Sequence, residues 1–99
     1  MKADLKNMVE IFKAFADANR LKIISLLSSN SSKEYCVNDI KKELKISQPA
    51  VSQHIKILKN IRLLEPDKRG YFVYYKINTG KLEEYQGRIN DMMERTFQK

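Results

Sequence analysis

Two short amphipathic segments that meet at a three-residue break, "KIS", constrain this 99-residue chain more than any other feature. In residues 37–44 and again from Ser47 to about residue 61, apolar side chains recur at the spacing of one helix face. Ser47 suits the cap of the second helix, and Pro49 falls in its first turn, where the missing N–H removes no hydrogen bond. The apolar stripes are Val37, Ile40 and Leu44 in the first segment, and Val51, Ile55, Leu58 and Ile61 in the second.

Three further helices are predicted around this pair, over residues 4–16, from the capping residue Asp17 onward, and over residues 81–97. Their apolar stripes are Leu5, Met8, Val9, Phe12 and Phe15 in the first, Leu21, Ile23, Ile24, Leu26 and Leu27 in the second, and Leu82, Tyr85, Ile89, Met92 or Met93 and Phe97 in the last. The wide stripe of the second helix predicts that it lies at the centre of the core.

A β-hairpin is predicted after the paired helices. The β-rich runs 63–65 and 71–77 flank "PDKRG", whose Pro, Asp and Gly are typical of hairpin loops. This assignment places Lys68 and Arg69 at the hairpin tip. We expect the hairpin aromatics to pack within the sheet rather than to stack on bases: Tyr71, Phe72, Tyr74 and Tyr75. The fold class is therefore mainly α, with five helices and a β-hairpin.

The polar face of the helix that begins at Ser47 suits a DNA groove. It presents Gln48, Ser52, Gln53, Lys56 and Lys59, with His54 at one edge. No acidic residue lies between Ser47 and Arg62, although a solvated helix of this length usually contains acid–base pairs. A helix in the major groove avoids carboxylates, because phosphates flank it, and presents amides and hydroxyls to base edges and cations to the backbone. A solvated helix surface is the alternative.

The distribution of charge also indicates a polyanionic partner. The chain has 19 Lys and Arg against 12 Asp and Glu, a formal net charge of +7. Residues 47–78 hold six bases against two acids, whereas residues 79–99 are balanced. A merely solvated basic surface is again the alternative. There is no run of 18 apolar residues and no signal-peptide pattern, and the one cysteine cannot form an internal disulfide. We therefore expect one cytoplasmic domain over residues 1–99, without a membrane span.

Helix, turn, helix and hairpin in this order form a winged helix-turn-helix, and the motifs resemble the arsenical-resistance-repressor (ArsR/SmtB) family. "FKAFADANRLKIISLL" resembles the opening signature of that family, "EYCVNDIKKELKISQPAVSQHIKILKN" its recognition block, and "KRGYFVYYKI" its wing. The resemblance covers nearly the whole chain. It implies homodimeric transcriptional repressors that bind double-stranded operators of two-fold symmetry and leave them on binding an effector, usually a metal ion or arsenite.

The resemblance also implies roles for individual residues. Base contacts would fall on Gln48, Ser52 and Gln53, and phosphate contacts on Ser47, Lys56 and Arg69. We also expect Lys59, on the polar face of the helix, and Lys68, at the hairpin tip, to contact DNA. One departure is Arg62, which stands where the family usually has a glycine just after the recognition helix. Either the exit of that helix differs here, or Arg62 is mildly strained.

The single cysteine leaves its own alternatives open. Family members that bind arsenic or cadmium have "CVC" where this chain has "CVN", so Cys36 lacks the second thiol that soft metals need. The zinc positions of other members correspond to Thr79, Lys81, Met92 and Arg95, none of them useful ligands. We therefore expect no metal and no cofactor. Cys36 is interpreted as a small half-buried residue, a candidate thiol switch, or a ligand shared between subunits.

These features favour a DNA-binding repressor, with a winged-helix module that binds protein as the alternative. No nucleophile–base pair or phosphate-binding glycine loop is recognisable, and His54 is the single histidine, so no enzyme is expected. The last helix carries no net charge and lies outside the basic region, which predicts a homodimer contact with the first helix beside it. The predicted contact residues are Leu5, Met8, Phe12, Leu82, Tyr85, Ile89 and Met92.

Overall fold

The structure, a computed structural model, describes residues 2–29 and 33–97, which form five helices and three strands. In chain order these are α1 (Lys2–Phe15), α2 (Ala18–Ser29), β1 (Tyr35–Cys36), α3 (Val37–Leu44), α4 (Gln48–Asn60), β2 (Leu64–Arg69), β3 (Phe72–Ile77) and α5 (Thr79–Phe97). The strands form one antiparallel sheet in the order β1-β3-β2. The mainly α architecture with a hairpin is confirmed; β1 was not predicted.

Three side chains fix where helices begin by accepting a hydrogen bond from a backbone N–H of the first turn. Asp17 Oδ1 accepts from Arg20 N at 3.1 Å, and Ser47 Oγ accepts from Ala50 N at 3.2 Å. Both caps were predicted from residue type. Asn78 Oδ1 accepts from Lys81 N at 3.1 Å, and α5 therefore begins at Thr79, two residues before its predicted start.

The core lies where α2, α3 and α4 meet the inner ends of the strands. Its fully buried side chains include Ile23, Ile40, Leu58 and Leu63. Three of the four apolar residues predicted for α4 are buried and Ile61 is half-buried, so the orientation of α4 is confirmed. In α2, Leu21 departs from the predicted face: it is about half exposed, because the core covers only the side of α2 that carries Ile23, Ile24 and Leu27.

The apolar stripe predicted for α1 is only partly correct. Ile11 and Ala14, which the prediction omitted, are buried with Met8, whereas Leu5 is 65% and Phe12 39% exposed. The helix has apolar residues on more than one side, and α2 covers the side that carries Ile11. The predicted stripe therefore lies largely outside the core of the subunit.

The turn of the hairpin is not the predicted "PDKRG" but the two-residue loop Gly70–Tyr71. Arg69 pairs with Phe72, so β2 continues through Pro66 to the tip. Pro66 is tolerated because β2 is an edge strand, where the missing N–H removes no ladder bond. Gly70 has a φ of +60° at the first loop position, as a type II′ turn requires.

The exit of α4 resolves the alternatives left open for Arg62. Its φ is +60°, its N–H donates to the Lys59 carbonyl at 2.8 Å, and the next N–H, from Leu63, donates to the Leu58 carbonyl at 3.0 Å. This is the complete Schellman motif, in which the left-handed position favours glycine. The second alternative is therefore the correct one: Arg62 occupies a backbone region that favours glycine.

Candidate nucleic-acid interface

The polar side chains predicted to contact bases lie together on the solvent face of α4. The helix buries Val51, Ile55 and Leu58 against the core. The opposite side is exposed and carries Gln48, Ser52, Gln53, Lys56 and Lys59, with the capping residue Ser47 at its N-terminal end. The amides, the hydroxyl and the cations thus face outward from a rigid helix, and no acidic residue stands among them.

His54 does not belong to this exposed face. Its Nδ1 lies 3.1 Å from Nη1 of Arg20, and its side chain is only 14% exposed. Because arginine can only donate, His54 Nδ1 is the acceptor in this contact. Arg20 also donates to the carbonyls of Ala14 at 2.7 Å and Lys13 at 3.1 Å. His54 therefore packs against the α1–α2 junction, and the edge position predicted for it is corrected.

Asp17 completes this junction beside Arg20. The N–H of Arg20 and, less strongly, the positive guanidinium of the same residue hold the pKa of the Asp17 carboxyl below its usual value. Asp17 Oδ1 lies 3.9 Å from His54 Nδ1. The cluster links the end of α1, the start of α2 and the inner edge of α4 through these contacts.

A cleft of about 330 Å³ separates α4 from the hairpin. Ser52, Lys56 and Lys59 line one wall, and Tyr75 of β3 lines the other. Side chains that are paired across an antiparallel ladder point to the same face of the sheet, and successive residues alternate between faces. Pro66 pairs with Tyr75 and Lys68 with Val73, so Lys68 lies on the sheet face that looks toward α4.

Arg69 lies on the opposite face of the sheet, together with Asp67, Phe72 and Tyr74. Its guanidinium donates to Asp67 and to Glu34. The prediction had placed Lys68 and Arg69 side by side in one loop, and the register separates them. The prediction that the aromatics pack within the sheet is wrong for Tyr71, which is fully exposed at the tip. It agrees with the other three, since Tyr74 and Tyr75 are half-buried and the Phe72 ring centre lies 6.4 Å from that of Tyr74.

Cys36 lies half-buried at the start of α3, on the strand that pairs with Tyr74. Its Sγ donates to Asp39 Oδ2 at 3.2 Å, and its backbone N donates to the same oxygen at 3.0 Å. These two donors, the backbone N–H first, hold the pKa of the Asp39 carboxyl below its usual value. The thiol therefore serves as a hydrogen-bond donor at the helix start.

Among the residues that the structure describes, no group of three or more His, Cys, Asp or Glu side chains is placed to hold a metal ion. Nor is any helix within residues 2–29 and 33–97 long and apolar enough to span a membrane.

A shallow groove of about 410 Å³ between α1 and α5 forms a second feature. Leu5, Met8 and Met92 line it with the polar residues Arg88, Asp91, Arg95 and Thr96. One residue of the predicted dimer contact is corrected here, since Tyr85 is 6% exposed and belongs to the core of the subunit itself. Met8 is 9% exposed and lines the groove from the core side. Leu5 and Phe12 are exposed, while Leu82, Ile89 and Met92 are half-buried. Phe97 lies outside the side chains that are described.

Three residues of the site escaped the sequence analysis: Arg20, Glu34 and Asp39. Asp39 carried a usable signal, because an acid three residues after a helix-capping position is the second half of a capping box. Arg20 and Glu34 act on residues 34 and 35 positions away in sequence, which no local pattern indicates.

Comparisons with known proteins agree with this geometry. The model of the family described as "Bacterial regulatory protein, arsR family" matches residues 17–65. The chain is 35% identical over 77 residues to the transcriptional repressor SdpR of Bacillus subtilis, covering 78% of this chain and 82% of that protein. It is 43% identical over 75 residues to the HTH-type transcriptional regulator MJ1325 of Methanocaldococcus jannaschii, covering 76% and 82%.

Among solved structures, the homodimeric winged helix-turn-helix DNA-binding domain of Mb0332 from Mycobacterium bovis superposes with a TM-score of 0.73 at 22% identity, over 99% of this chain and 87% of that one. The winged helix-turn-helix fold is thereby confirmed. The expectation of a regulator rather than an enzyme is confirmed by the relatives, which are transcriptional regulators.

Proposed function

The chain belongs to the arsR family of bacterial regulatory proteins, and we propose that it is a homodimeric repressor that binds an operator of two-fold symmetry through α4 and the hairpin. The observation that carries this proposal is the exposed face of α4, where Gln48, Ser52 and Gln53 stand beside Lys56 and Lys59 without a carboxylate. In a major groove, such a face places amides and a hydroxyl at base edges and cations near phosphates.

The dimer is proposed from the apolar surface that a single subunit leaves uncovered. Four apolar side chains on the helices α1 and α5, which flank the groove, are each more than one third exposed: Leu5, Val9, Phe12 and Met93. The subunit is also elongated, with a radius of gyration of 14.8 Å, against roughly 13 Å for a compact domain of this length. A second copy on α1 and α5 would cover the exposed apolar side chains and present two copies of α4 about one helical turn of DNA apart.

For the effector, we propose that release from DNA does not depend on a thiolate metal site within one subunit. Cys36 is the single cysteine, Asn38 stands where arsenic-binding members have a second thiol, and the Cys36 thiol donates to Asp39. Zinc or arsenite should therefore leave the DNA affinity unchanged. Release by peroxide that disappears in Cys36→Ser would support the thiol switch, and strong release by arsenite would contradict the proposal.

The experiment that tests DNA binding starts from a duplex that the purified protein selects from a random-sequence library. Its affinity is then measured by fluorescence anisotropy over a range of KCl concentrations. Lys56→Ala and Lys59→Ala should each lower the slope of log K against log[salt] by roughly one, because each removes one phosphate contact. Lys22→Ala, which removes an exposed lysine of α2, is the matched control and should leave the slope unchanged.

Two results would contradict the proposal. Failure of the library to yield any enriched duplex would favour the protein-interaction module instead. Equal slopes for Lys56→Ala, Lys59→Ala and Lys22→Ala would show that the binding of DNA uses some other surface.

A further inference from the structure

The two cations near the tip of the hairpin occupy opposite faces of the sheet. Lys68 shares its face with Tyr75, which lines the cleft beside α4. Arg69 lies on the other face of the sheet. Asp67, two residues earlier on the same strand, lies on that face too, together with its ladder partner Tyr74. A duplex held on α4 therefore approaches the face that carries Lys68.

All three nitrogens of the Arg69 guanidinium are already engaged. Nη1 and Nη2 donate to the two carboxylate oxygens of Glu34, each at 2.6 Å. Nε and Nη2 donate to Asp67 Oδ2 at 3.0 and 2.7 Å. The hydrogen bonds that Arg69 donates to Glu34, and to a lesser extent those that it donates to Asp67, raise the pKa of Arg69 above its usual value. The fork geometry with Glu34 is the bidentate arrangement that is specific to arginine.

This cluster, Glu34–Arg69–Asp67, spans the whole width of the sheet. Because the strand order is β1-β3-β2, Arg69 reaches from β2 across the central strand to Glu34, which directly precedes β1. The guanidinium carbon lies 5.1 Å from the centre of the Tyr74 ring that it crosses. The cluster carries two carboxylates against one guanidinium, so the charge of Arg69 is already compensated by its own partners.

We infer that Arg69 is a positioning residue, which fastens the hairpin to β1 through Glu34, and that Lys68 alone of the two supplies the phosphate contact of the hairpin. The inference rests on the proposed function. It departs from the role that the family resemblance implies for Arg69. The wing is thus held at a set angle to α4 by an ion-pair bridge on its far face, and β1 leads directly into α3 of the helix-turn-helix.

The test compares four single variants and one control variant in the salt-dependent DNA assay described above. Lys68→Ala should lower the salt slope by roughly one. Arg69→Ala should weaken binding a few-fold and leave the slope unchanged, because the wing is less well placed but no phosphate contact is lost. Arg69→Lys should behave like Arg69→Ala, since lysine keeps the charge but cannot form the fork. Glu34→Gln should bind more weakly than the control Glu65→Gln, which removes the same charge from the same sheet face.

A second measurement on the free protein does not require DNA. Amide hydrogen exchange in β2 and β3 should accelerate in Arg69→Ala and Arg69→Lys but not in Lys68→Ala. The inference is overturned if Arg69→Ala lowers the salt slope as much as Lys68→Ala while Arg69→Lys matches the unmodified protein, or if Arg69→Ala changes neither affinity nor exchange. Failure of the proposed function is distinguishable, because Lys56→Ala would then also leave the slope unchanged while the exchange result still tests the bridge.

Discussion

Replacing Arg62 with glycine should stabilise the protein, although glycine normally weakens a chain. The φ of +60° at Arg62 belongs to the left-handed region, which costs a residue with a Cβ about 1–2 kcal/mol. Glycine relieves that strain but adds roughly 0.5–1 kcal/mol of backbone entropy to the unfolded state. The Arg62 side chain is exposed and takes part in no hydrogen bond or ion pair with the described residues. Its removal should therefore cost little in the folded state.

The expected net gain, taken between the midpoints of these two ranges, is about 0.75 kcal/mol in the free energy of unfolding, which corresponds to a rise in Tm of about 3–6 °C. Urea unfolding followed by circular dichroism measures it, at one fixed protein concentration because the stability of a dimer depends on concentration. The matched control is Lys59→Gly, an exposed cation inside α4, which should lose about 1 kcal/mol. If Arg62→Gly is destabilised as much as Lys59→Gly, the strain argument is wrong.

Three further substitutions have outcomes that follow from single contacts. Tyr85→Phe removes the hydroxyl that donates to the Ile61 carbonyl at the end of α4 and should cost about 1 kcal/mol in urea unfolding; an unchanged midpoint would contradict the role of this bond. The pKa of Asp39 is lowered in the folded state, because its carboxylate accepts hydrogen bonds from the N–H and the thiol of Cys36. The ionised carboxylate therefore stabilises the fold at any pH above the pKa that Asp39 has in the unfolded chain. This contribution disappears as the pH falls through the lower pKa of the folded state. Asp39→Asn should therefore be less stable than the unmodified protein near neutral pH, and the difference should vanish in acid; a difference independent of pH would rule this out. Gly70→Ala should lose about 0.75 kcal/mol, because the strain of a left-handed backbone exceeds the entropy that alanine removes from the unfolded chain. An added Cβ meets no atom within 4 Å, so no clash adds to this cost; full stability in thermal unfolding would show that the turn adapts.

The sequence was most informative where one local pattern determines the result. The break "KIS", the cap at Ser47 and the apolar spacing of α4 together specify which side of the helix is buried, so its polar face could be named in advance. The capping residue Asp17 was identified in the same way. Both are effects within one or two helical turns, where residue type and spacing are sufficient.

The hairpin shows where such reasoning fails. Pro66 and Asp67 are typical of turns, but an edge strand tolerates proline, and Gly70 supplies the positive φ for a tighter loop nearer the tip. A shift of the turn changes which residues share a sheet face, and therefore assigns Lys68 and Arg69 to opposite sides. Glu34, the partner of Arg69, lies 35 residues away in sequence, so no local pattern could reveal the bridge.

The buried face of α1 was only partly predicted, and the physical reason is a different one. Its apolar residues exceed what one core-facing stripe needs, and periodicity alone cannot say which side α2 will cover. The unpredicted Ile11 and Ala14 lie in the core, and the predicted Leu5 and Phe12 remain available for a partner. Only the packing of the whole subunit separates an internal face from an intersubunit one.

The central claim, that the polar face of α4 contacts base edges, is tested most directly by sequence discrimination. The measured quantity is the affinity for the selected duplex divided by the affinity for a shuffled duplex of the same composition. Gln53→Ala should reduce this ratio about tenfold while hardly changing the affinity for the shuffled duplex. Gln86→Ala, an exposed glutamine of α5, should leave the ratio unchanged. If neither Gln53→Ala nor Gln48→Ala alters the ratio, α4 does not contact the bases and the account is wrong.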